Sequence, residues 1–161
     1  MQKKRYKTLA VFLPVAILIA SFGTMGHYHN QFYESVERIE VEYEGSEIPV
    51  VVNYYRPAKT FSSEYEKPPV IICFTGFEAQ KDLDLRAPIE FTRRGFAVLT
   101  MELRGHGEMQ PYFGPEIADD ARAVVNFTYD NLGEEVDLNR VALLGHSGGG
   151  IGVLGVLDPR V

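Results

Sequence analysis

The sequence predicts an α/β domain on a mostly parallel sheet with helices on both faces, preceded by a transmembrane or signal segment. Three observations carry this expectation. From Pro69 onward, short apolar runs that fit strands alternate with amphipathic stretches that fit helices, the pattern of a sheet covered on both sides. Upstream, residues 38 to 57 alternate apolar and polar around a Gly45-Ser46 turn, which predicts an antiparallel hairpin at the sheet edge. Before that, no Asp, Glu, Lys or Arg occurs between Lys7 and Glu34, and the basic residues Lys3, Lys4, Arg5 and Lys7 precede the gap. A chain of 161 residues has room for one domain with a real core, but not for two.

Residues 1–8 read as a basic cytoplasmic N-terminus. Residues 9–26 would span about 27 Å as a helix, slightly under the hydrocarbon thickness of roughly 30 Å, with Tyr28, Phe32 and Tyr33 as interfacial aromatics. Ser21-Phe22-Gly23 is a poor cleavage site, so an uncleaved signal-anchor is favoured over a signal peptide, with the body outside the cytoplasm; a secreted form is the alternative. Residues 27–37 read as a tether. Its His27 and His29 have no further ligands nearby, so they are read as interfacial residues and no metal is implied.

The domain proper is expected over 38–161. Ile39, Val41 and Tyr43 share one face of the first strand, with Glu40, Glu42 and Glu44 opposite. PVIICF is apolar throughout, as suits a strand buried on both faces. A helix is expected around Ala87 to Arg94, with Pro88 in its first turn and Gly95 ending it. The next strand is FAVLTM. A helix behind Pro115 then places Ile117, Ala121, Val124, Val125 and Thr128 on one stripe, and Glu116, Asp119 and Asp120 in its early turns, read as a solvated start favoured by the helix dipole. VDLNRVALLG is a strand and SGGGIGVLGVL a helix.

Charge and sulfur narrow the function. The net charge of −6 divides into +4 in the first seven residues and −10 in the rest, and so acidic a body does not suit nucleic-acid phosphates. Cys73, the only cysteine, cannot form an internal disulfide and reads as a small core hydrophobe.

The chemistry concentrates at Gly145-His146-Ser147-Gly148-Gly149, a GxSxG pattern between an apolar strand and a helix. A serine there sits in a strained turn, with glycines where any Cβ would strike the neighbouring strand or helix, and the helix N-terminus faces the place where an oxyanion would form. The overlapping GxGxxG of Gly150, Gly152 and Gly155 begins too late after its strand for a dinucleotide site and reads as a close-packed helix face. No Lys-Ser or Lys-Thr follows, so a phosphate loop is excluded too.

With its GHSGGG elbow, its ELRGHGE loop (102–108) and its CFTGFEAQ loop (73–80), the chain resembles the α/β-hydrolase superfamily over roughly 38–161, and more closely its esterase, dienelactone-hydrolase-like and prolyl-oligopeptidase-like branches. The resemblance implies that Ser147 is a nucleophile and that the backbone N–H groups of Gly148 and Phe77 hold the oxyanion. Thr75 stands where many members have histidine, and Glu102 where aspartate is frequent. Arg104 and His106 are expected to order their loop. His146 adjoins Ser147 but points elsewhere in an elbow, so it is not the expected base. The superfamily's triad runs serine, acid, histidine, yet His27, His29, His106 and His146 all precede Ser147. The acid and histidine are therefore expected beyond Val161, which makes this an N-terminal part, incompetent alone, with a missing C-terminal half as a partner. Ester substrates come first, with peptide or thioester bonds possible within the same chemistry. No organic cofactor is implied. A non-catalytic, membrane-tethered half-domain is the alternative.

Overall fold

The computed structural model describes residues 33–59, 66–77, 86–109, 114 and 116–158, all within one compact unit, Tyr33–Val161. The elements run β1 (Tyr33–Val41), β2 (Val50–Pro57), β3 (Pro69–Phe74), α1 (Arg86–Thr92), β4 (Ala97–Met101), α2 (Ile117–Asn131), β5 (Asp137–Gly145) and α3 (Gly149–Leu157). The expected membrane span, 9–26, and the histidines of 27–32 lie outside the described residues. Among the described residues, no helix is long and apolar enough to cross a membrane.

The five strands among the described residues form one sheet in the order β1-β2-β4-β3-β5. β3 is parallel to β4 and to β5, whereas β2 is antiparallel to both β1 and β4. The sheet is therefore mixed rather than mostly parallel, because the hairpin supplies two of its five strands. The hairpin is also longer than alternation suggests. β1 begins at Tyr33, and Ser35 to Val41 pair with Arg56 to Val50, so residues 33–37 belong to the sheet and not to a tether. A register shift between Tyr33 and Ser35 breaks the alternation there and hides the strand from a two-residue pattern.

Each face of the sheet has its own core. On one face Val52 and Tyr54 of β2, Ile72 and Phe74 of β3 and Leu99 of β4 meet Ile117, Ala121 and Val124 of α2, with Val153 and Val156 of α3 against them. On the other, Tyr55, Ile71, Cys73 and Val98 meet Phe91 and Phe96 around α1. Tyr54, Tyr55 and Cys73 are thus ordinary core. α3 packs closely on α2 because Gly152 lies against Ala121 and Gly155 against Ala118, so these two glycines form a packing face, whereas a Cβ on Gly150 would meet open space.

The two sheet edges differ. β1 carries Glu37, Arg38 and Glu40, with Arg38 paired to Glu40 and Glu108 and Glu37 paired to Arg56. Charges of this kind keep a strand edge from pairing with other chains. β5 has Asp137 and Arg140 at its start but then runs Val141-Ala142-Leu143-Leu144, with Ala142 and Leu144 exposed. Beside it, α3 exposes Ile151, Leu154 and Leu157.

Candidate active site

The topology places a crevice before any motif is consulted. After β3 the chain passes to α1 on one face, and after the adjacent parallel strand β5 it passes to α3 on the other. Ligands bind where neighbouring parallel strands send their connections to opposite faces, outside the carboxyl ends of the strands. At that point lie Thr75, Gly76 and Phe77 from β3 and His146, Ser147 and Gly148 from β5.

Ser147 takes φ +52°, the one positive φ among the described non-glycine residues. A left-handed turn at a residue with a Cβ costs about 1–2 kcal/mol and persists only where the surroundings impose it. Here His146 N–H donates to Phe74 O at 3.2 Å, and the amides of Gly149, Gly150 and Ile151 donate to the carbonyls of His146, Ser147 and Gly148. A Cβ on Gly145 would stand 2.5 Å from Gly149 O, and one on Gly149 would strike Phe74 O. The glycines of the motif thus let strand, turn and helix approach closely, and the turn lifts Ser147 into solvent, with no described group hydrogen-bonded to its hydroxyl.

Two loops meet beside Ser147. Gly148, the residue after Ser147, is buried. A Cβ on Gly76 would lie 3.2 Å from Ser147 Cβ and 3.1 Å from His146 Nδ1, so the β3 loop touches the elbow directly. Thr75 holds this loop in place: its backbone N–H and its Oγ1 both donate to Met101 O, at 3.3 and 3.1 Å. The His146 side chain lies toward Gly76 and is not hydrogen-bonded to the Ser147 hydroxyl.

The loop after β4 flanks the site. Glu102 is buried and accepts the Glu108 N–H at 2.8 Å; Gly105 N–H donates to Met109 O, and Met109 N–H to His106 O. Arg104, 2% exposed, donates through Nε and Nη2 to Asp120, which is fully buried, at 3.0 and 2.5 Å. Its Nη2 also donates to Ser46 Oγ at 2.8 Å, and Tyr43 Oη donates to Asp120 at 2.7 Å. Burial, reinforced by Asp120, raises the Tyr43 phenol to about 12. Arg104 therefore orders its loop as expected, while Asp120 is a buried ion-pair partner and not part of a solvated helix start. The signal was present: Asp120 falls three residues after Ile117 and four before Val124, on the apolar stripe itself. The His106 ring nitrogen Nδ1 lies 3.3 Å from Arg104 O, consistent with a donated N–H.

Among the described residues, no group of three His, Cys, Asp or Glu side chains is placed to hold a metal ion.

A doubly covered sheet with a strained serine at its switch point defines an α/β-hydrolase, and solved hydrolases share this fold. They include an esterase from Pyrobaculum calidifontis (TM-score 0.63, 20% identity, 88% of this chain and 45% of that one). A 2,6-dihydroxy-pseudo-oxynicotine hydrolase aligns with TM-score 0.60 and 28% identity over 78% of this chain and 34% of its own. The esterase LipW from Mycobacterium marinum aligns with TM-score 0.55 and 27% identity over 71% and 35%. The chain belongs to the acetyl xylan esterase (AXE1) family, whose model matches residues 27–132. That match ends before the elbow, so it is independent of the GHSGG residues. A search of curated proteins returns no match. The chain spans less than half the length of the three solved hydrolases.

Proposed function

We propose that this chain carries the nucleophile side of a serine esterase that removes acetyl groups from a sugar polymer, tethered to a membrane through residues 9–26 with its domain outside the cytoplasm. The observation that carries the reading is Ser147, held at φ +52° on the switch-point crevice. The family match supports the ester, and the basic flank of the apolar segment supports the orientation.

In the reaction, Ser147 Oγ attacks the acetyl carbonyl carbon as its proton passes to a histidine base. The tetrahedral oxyanion is held by the Gly148 and Phe77 backbone N–H groups. The bond to the sugar oxygen breaks, and that oxygen leaves with the proton. Water, deprotonated by the same base, then cleaves the acetyl-serine to acetate and free enzyme.

Among the described residues no histidine is hydrogen-bonded to the Ser147 hydroxyl, and in this reading the base and its acid are supplied from outside the described residues. Loss of a triad base costs roughly a million-fold in kcat, so the purified chain is expected to turn over little by itself.

Fluorophosphonate treatment of membranes from the source cells, followed by peptide mapping, tests this. The expected adduct is on Ser147, while the purified chain hydrolyses p-nitrophenyl acetate no faster than its Ser147→Ala variant. An unlabelled Ser147 in those membranes makes the chain a non-catalytic tethered module. Ser147-dependent turnover by the purified chain would show that no outside base is required.

A further inference from the structure

Phe77 differs from the core aromatics Tyr54 and Tyr55: those are buried on the two faces of the sheet, but Phe77 is 46% exposed. Its ring is not loose. The Cδ2 and Cε2 atoms lie 2.7 Å from where a Cβ on Gly148 would stand, so the ring is seated on the residue after the nucleophile, and Leu103 closes the same spot at 3.1 Å. The His106 ring braces it at 5.8 Å and 48°. His106 in turn belongs to the loop fixed by the buried Arg104–Asp120 pair and by Glu102.

Resting on the reading of Ser147 as the nucleophile of a carbohydrate esterase, we propose that Phe77 is the sugar platform. Its exposed ring face stacks on the C–H face of the pyranose that bears the ester and thereby selects which acetylated oxygen faces Ser147. Three features favour a sugar over an acyl chain. An acetyl group is too small to need an aromatic wall of this size. The ring has a polar border, with His106 on one side and Ser147 beyond Gly148, which matches a pyranose that is apolar on its face and hydroxylated at its rim. The platform is also fixed before the ligand arrives, so stacking does not require a long side chain to be ordered.

The chain contains no tryptophan, so Phe77→Trp places its single tryptophan, excited apart from the tyrosines at about 295 nm, at the platform. The probe is xylobiose, and the expected result is a saturable change in emission that is absent from a Tyr129→Trp variant on α2. The response should persist when Ser147→Ala is added, because stacking does not need the nucleophile. Failure of the nucleophile reading is therefore separable from failure of this one. A response to 1-hexanol but not to xylobiose would make Phe77 an acyl wall and overturn the proposal, as would equal responses at positions 77 and 129. Should Phe77→Trp fail to fold against Gly148, ring 13C signals of Phe77 in the unmodified chain serve instead. Their displacement by xylobiose is expected, and its absence overturns the platform.

Discussion

Replacing Asp120 by alanine should be among the most damaging single changes outside the hydrophobic cores. The carboxylate accepts from Arg104 Nε, Arg104 Nη2 and Tyr43 Oη. Without it, a guanidinium only 2% exposed has the neutral hydroxyls of Ser46 and Tyr43 among its partners on Nη2, and no carboxylate at the site of Asp120. Stranding one member of a buried pair costs about 3–5 kcal/mol, against a total domain stability of about 5–15 kcal/mol. The preceding residue provides the control. Asp119 is exposed and pairs with Arg122 at 2.8 Å, an ion pair of the class worth about 0.2–1 kcal/mol. Urea unfolding followed by circular dichroism should therefore lower the midpoint by about 2 M for Asp120→Ala and by less than about 0.5 M for Asp119→Ala. The double variant Arg104→Met with Asp120→Leu, which removes both charges, should recover most of the loss. Equal midpoints for the two alanine variants would refute the reasoning, because they would mean that the Arg104 charge finds water.

Two further outcomes follow from local geometry. Ser147→Gly relieves about 1–2 kcal/mol of left-handed strain and adds about 0.5–1 kcal/mol of backbone entropy cost, so it should stabilise the chain by about 0.5–1 kcal/mol, read as a raised urea midpoint; a lowered midpoint would mean that Ser147 is not strained. The hydrogen bond from Arg56, at 2.8 Å, holds the Glu135 carboxyl below its ordinary range. That pair contributes fully above the unfolded glutamate value of about 4.3 and is lost as pH falls through the lowered folded value, so Glu135→Gln should flatten the acid limb of stability. Because both side chains are partly exposed, the difference should stay within about 0.2–1 kcal/mol, and an unchanged acid limb would show that the pair is solvated away.

Much of this architecture was legible because its signals are local. PVIICF reads as a doubly buried strand from composition alone, and the elbow reads from glycines that must be glycines. Other parts depended on longer-range facts. The register shift at Tyr33 concealed the first residues of β1, and no window on one strand can reveal that β2 pairs with β4. Asp120 reads as solvated because helix-start acids so often are, although its place on the apolar stripe points it toward the core, where it pairs with Arg104. The exposure of Phe77 had no sequence signal, since it depends on how the β3 and β4 loops meet over Gly148.

The position of β3 has a consequence for the order of events during synthesis. Val70 pairs with Ala97 on one side and with Val141 on the other, so the two edges of one strand are satisfied at very different moments as the chain emerges. The first ladder closes over a short loop; the second waits until more than seventy residues have been added, and such non-local pairings are the slow ones. In that interval an apolar edge stands open and invites a chaperone or a neighbour. The carbonyl of Phe74, which His146 needs, becomes useful only when the second ladder closes. The left-handed turn at Ser147 therefore depends on the later of the two ladders of β3, the one that β5 closes.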